Sequence, residues 1–78
     1  MTDFTNAAIS MINKKHDVFR QHEAEGKTSE SLLRTLLCEV DVIRQLFQEV
    51  EGQSSATVTL ATEVRSEIFD TLKHLHGG

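Results

Sequence analysis

The chain has 78 residues, a formal charge of −4, and 38% hydrophobic against 26% charged residues, the balance of one folded domain and not of a disordered segment. An acidic total disfavours a phosphate-binding surface, which needs clustered cations. The single cysteine, Cys38, excludes an intrachain disulfide, and no apolar run approaches the roughly 20 residues a membrane helix requires.

Met1-Thr2-Asp3-Phe4 offers no basic segment ahead of an apolar run, so no secretory signal is expected and the reading is a cytoplasmic chain. Proline, tryptophan and tyrosine are absent, and Leu, Glu, Arg and Gln crowd the middle, a composition that favours helix. Gly26 and Gly52 each follow a charged helical pattern and precede Ser or Thr. Glycine past a last turn and a hydroxyl cap before the next helix divide the chain into helices of about 4–25, 29–51 and 55–76.

The first helix carries Phe4, Ala8, Met11, Ile12, Val18 and Phe19 at spacings that predict one apolar stripe. Lys15 and His22 fall on the same face. The favoured reading lays the Lys15 stem along the core with its ammonium in water; the alternative is an ion pair with an acid on a neighbouring helix.

The second helix has the clearest pattern. Leu33, Leu36, Val40, Ile43, Phe47 and Val50 alternate spacings of three and four, a heptad seam whose members are expected to be among the most buried. Leu32, Leu37 and Leu46 widen this face enough to meet two other helices. Cys38 lies almost opposite the seam and is expected to be exposed or half-exposed.

The third helix shows a stripe of Ala61, Val64, Ile68, Leu72 and Leu75, flanked by Leu60 and Phe69. Its start is open. Ser54-Ser55-Ala56-Thr57-Val58-Thr59 is rich in mediocre helix formers, so it forms either a weak first turn or a loop with Thr59 as the cap. The tail, Leu75-His76-Gly77-Gly78, resembles the diglycine end of ubiquitin-like modifiers over four residues. Those proteins fold around a sheet, and no strand pattern accompanies the tail here.

Chemistry is sparse. Cys38 has no histidine on its own helix to serve as base. His16 and His22 lie on nearly opposite sides of their helix, as do His74 and His76, and no metal-ligand spacing such as HExxH or CxxC occurs. The acidic pairs Glu23 and Glu25, Glu49 and Glu51, and Glu63 and Glu67 read as solvated faces or helix ends. No catalytic residue, cofactor site or metal site is therefore expected.

The expectation is an all-α protein: a three-helix up-down-up bundle, or a helical hairpin plus a third helix, that self-associates. Its function is read as non-enzymatic protein–protein interaction through helix packing, with a protein partner or a homodimer or higher assembly. The alternative is a small nucleic-acid-binding domain using Lys14, Lys15 and Arg20.

Overall fold

The computed structural model describes residues 2–52 and 55–77, with side chains over 3–52 and 55–75. These residues form three α-helices: α1 (Thr2–Ala24), α2 (Glu30–Glu51) and α3 (Ala56–Gly77). Ser54 as a cap and the Gly78 end of the tail lie outside the described residues.

The first turn is a Schellman closure. Gly26, at φ 68°, donates its N–H to the Glu23 carbonyl at 3.2 Å, and Lys27 donates to the His22 carbonyl at 2.8 Å. Both bonds satisfy carbonyls that the last turn of α1 would otherwise leave open. Ser29 then caps α2 from an extended backbone, its Oγ accepting from the Leu32 N–H at 3.2 Å.

The second turn is built differently. Gly52 has φ 89° and ψ 171°, an extended positive-φ conformation outside the left-handed helical well that the sequence suggests, and one that glycine alone adopts without strain. Its N–H still reaches the Gln48 carbonyl at 3.0 Å. Helix α3 begins at Ala56, which settles its open start. Ser55 acts at the boundary: its Oγ accepts from the Thr57 N–H at 3.2 Å, and its carbonyl accepts from Thr59 at 3.0 Å. Thr57 and Val58 are poor helix formers, but both are buried, so packing overrides propensity.

Directions follow from which residues meet. Along α1, Thr5 meets Glu51 and Lys15 meets Glu39, so α2 runs antiparallel to it. His16 meets Glu67 and Glu23 meets Thr71, so α3 runs parallel to α1. This is an up-down-up three-helix bundle. Its extents are 41 × 20 × 16 Å, the long axis being that of α-helices of 22 and 23 residues at about 1.5 Å per residue. The α2–α3 pair packs most closely, and the α1–α2 pair most loosely.

The core has two connected parts. The larger contains Ile12 and Phe19 of α1, Leu33, Leu36 and Val40 of α2, and Ala61, Val64 and Ile68 of α3. The smaller, toward the Gly52 turn, contains Ala8, Phe47 and Val58, and Ile43 packs against both.

Three expectations change here. The single stripe of α1 is two seams: Ala8, Ile12 and Phe19 point inward, whereas Phe4, Met11 and Val18 stand at an edge in partial contact with water. The seam of α2 is buried at Leu33, Leu36, Val40 and Phe47 and half-buried at Ile43, but Val50 is 69% exposed. Val50 lies in the last turn of α2, where the chain leaves the bundle toward Gly52. Finally, Lys15 does not end free in water. Its Nζ lies 3.1 Å from Glu39 Oε2 of α2, the ion pair that the sequence reading set second.

Candidate functional site

Polar bridges finish most helix edges. Between α2 and α3, Asp41 accepts from Arg44 Nε at 2.9 Å and Gln45 Nε2 at 3.0 Å, and faces Arg65 Nε at 3.1 Å. The Arg65 contact is an ion pair whose geometry falls short of a directed hydrogen bond. Between α1 and α3, His16 Nε2 lies 2.9 Å from Glu67 Oε2, and Arg20 Nη2 lies 3.7 Å from Glu67 Oε1. Arg20 Nε also approaches His16 Nε2 at 3.2 Å, but a nitrogen that donates to Glu67 cannot accept from Arg20. The carboxylate contact is shorter and charge-assisted, so we assign the Nε2 hydrogen to it. Glu67 is thus drawn into a helix interface, against the expectation of a solvated acidic pair with Glu63.

At the Gly52 end, one carboxylate ties α2 to α1 and to the residue just before α3. Glu51 of α2 accepts from Thr5 Oγ1 of α1 at 2.9 Å and from Ser55 Oγ, beside the start of α3, at 2.7 Å. The Ser55 and Thr5 hydrogen bonds favour its ionised form and hold its carboxyl below the usual carboxylate range.

Two of the hollows among the described residues differ most in character; a third, about 290 Å³ among Arg44, Gln45, Gln48 and Glu49, is lined by polar side chains of α2 alone. The larger, about 350 Å³, lies between α2 and α3 among Arg44, Gln48, Val58, Thr59, Thr62 and Glu63. Its cation is already spent: Arg44 is bound to Asp41 and also donates Nη1 to Gln48 Oε1 at 2.9 Å. Polar groups that satisfy one another do not converge on a ligand.

The other hollow, about 210 Å³, runs between α1 and α2 and is lined by apolar side chains alone: Phe4, Ala7, Ala8 and Met11 face Ile43, Leu46 and Phe47. Phe4 stacks on Phe47 with ring centroids 5.3 Å apart and 23° between planes. Small Ala7 and Ala8 form its α1 wall, where longer side chains would fill the space. Phe4 is 58%, Met11 51% and Leu46 47% exposed, so the groove opens to solvent, and the exposed Val50 follows Leu46 four residues later on α2. The Lys15–Glu39 pair bounds it on the other side. Monomers rarely leave a contiguous apolar strip of this kind uncovered without a use for it.

Of the residues the sequence points to, Ile43, Phe47, Phe4 and Met11 come together at this groove. Leu33, Leu36, Val40, Ile12 and Phe19 are core. Val18 continues the line of Phe4 and Met11 one further heptad along α1. The sequence reading overlooked Ala7, although Phe4, Ala7, Met11, Lys14 and Val18 are spaced three, four, three, four and form a heptad line of their own.

Of the three cations that a nucleic-acid reading would use, Lys15 and Arg20 face acids on neighbouring helices, which leaves Lys14 without an acidic partner among the described residues. Cys38 is exposed, as expected. Among the described residues no three His, Cys, Asp or Glu side chains gather where a metal could bind, and no helix is long and apolar enough to cross a membrane. No protein-family model, curated protein or solved structure matches the chain.

Proposed function

We propose that the protein is a non-enzymatic interaction module that binds another polypeptide along the α1–α2 groove. The observation that carries this reading is the groove's lining: Phe4, Ala7, Met11, Ile43 and Leu46 form an open strip without a polar group, on a bundle whose other edges are bridged by ion pairs. An amphipathic helix laid into such a groove buries its own apolar face and covers these side chains. Full burial of one large apolar side chain contributes roughly 1.5–3 kcal/mol, so a few of them supply substantial affinity before the costs of association are subtracted.

The test compares the wild-type chain with Met11→Glu and Leu46→Glu, for self-association and for proteins retained from the native source. Both positions are half-exposed, so helix content by circular dichroism is expected to stay unchanged while binding is lost. Binding that survives both substitutions places the interacting surface elsewhere and refutes the reading.

A further inference from the structure

We infer that the occupant of the groove is a second copy of this chain, docked with its α1 antiparallel to the first across a two-fold axis near the level of Ala7 and Met11. This rests on the reading of the groove as an interaction surface. The argument comes from self-complementarity, which a two-fold interface demands: if one residue meets another across the axis, the reverse contact occurs too.

The outer line of α1 meets that demand when Ala7 and Met11 face each other. Setting Ala7 opposite Met11 of the second copy places a small residue against a large one, twice, as close helix packing requires. The same register brings Phe4 level with Lys14 of the second copy. The lysine stem then covers the exposed Phe4 ring, and its ammonium reaches Asp3, one residue further along. Asp3 and Lys14 are both exposed, and neither has an ion-pair partner among the described residues. Shifting the axis to Met11 sets two large side chains against each other and moves Lys14 opposite Ala8, so both the shape fit and the charge fit are lost. On α2, Leu46 lies across the groove from this region, where it flanks the incoming helix.

The uncovered parts of Phe4, Met11, Leu46 and Val50 would supply the apolar centre of an interface of standard size, about 800 Å² per partner. A four-helix layer results, with the two α1 helices inside and the two α2 helices outside. Neither α3 takes part.

Charge-swap variants test this by molar mass from light scattering after size exclusion, over a wide concentration range. The wild-type chain is expected at the mass of two chains. Asp3→Lys and Lys14→Asp, each alone, place like charges together twice per dimer and weaken it by about a hundredfold in Kd. Mixed in equal amounts, the two variants recover the dimer, because every lysine then faces an aspartate. Met11→Glu abolishes the dimer while helix content stays constant. A single-chain mass for the wild type at every concentration overturns the inference, as does a mixture that fails to recover. If the wild type is single yet loses a retained foreign protein in Met11→Glu, self-pairing falls and the groove reading stands. A dimer indifferent to Met11→Glu, with no foreign protein lost, sinks both.

Discussion

The two long edges of α2 are finished in opposite ways. Toward α3 the helices pack closely, and Asp41 links Arg44 and Arg65 over the buried line of Leu36, Val40, Ala61 and Val64. Toward α1 the packing is looser, and between the Lys15–Glu39 and Thr5–Glu51 contacts the edge is apolar and open. A polar edge is already satisfied by water and by its own bridges, and gains little from being covered. An apolar edge gains with every square ångström removed from water. The same helix therefore supports the fold with one side and leaves the other available for binding.

The largest expected difference between the two regions comes from their phenylalanines. Phe19 is fully buried, so Phe19→Ala is expected to cost about 3–5 kcal/mol, a large part of the stability of so short a chain. Phe4→Ala removes a half-exposed ring stacked on Phe47 and is expected to cost only about 1 kcal/mol. Urea unfolding of both variants in a Met11→Glu background, where chains stay single, makes the comparison. Equal losses would mean that the groove belongs to the core.

A second variant probes the buried start of α3. Thr57 is fully buried, and its Oγ1 has no hydrogen-bond partner among the described residues. Replacing that hydroxyl by a methyl group in Thr57→Val removes an unsatisfied polar atom with little change of shape. It is expected to add about 1 kcal/mol, or roughly 4–8 °C in Tm by calorimetry. A lower Tm would show that the hydroxyl is bonded in solution.

The smallest effect concerns the Glu51 clasp. Its pKa is depressed in the folded state, so near that range the unfolded chain binds more protons and stability rises with pH. The contribution is complete above the ordinary carboxylate value and is lost as pH falls through the depressed one. Glu51→Gln should flatten the acid limb of a stability-versus-pH curve without altering the neutral plateau's shape. An unchanged acid limb would assign that limb to other carboxylates.

Much of the bundle was legible in the chain itself. Spacing of Leu33, Leu36, Val40 and Phe47 marks a helix face because the 3.6-residue repeat puts them on one side whatever they touch. Ser29 and Gly26 mark helix limits because their chemistry acts on backbone groups within a few residues. These are local constraints, and a sequence states them directly.

Side-of-helix assignments were not legible, because they depend on where the neighbouring helices lie. Phe4, Met11 and Val18 sit within the same broad stripe as Ala8, Ile12 and Phe19, and only the direction of α2 and α3 from α1 separates an edge from a core. Val50 obeys the heptad of α2, yet the seam outruns its partners at the Gly52 turn and leaves it in water. Lys15, Arg20 and Glu67 look like free surface charges until antiparallel α2 and parallel α3 bring Glu39 to Lys15, and Glu67 to His16 and Arg20. The chain by itself determined the helices, their turns and the apolar surface each helix carries. The tertiary structure decided which part of that surface is spent on the core and which remains open, because burial is a property of pairs of elements, whereas periodicity is a property of one.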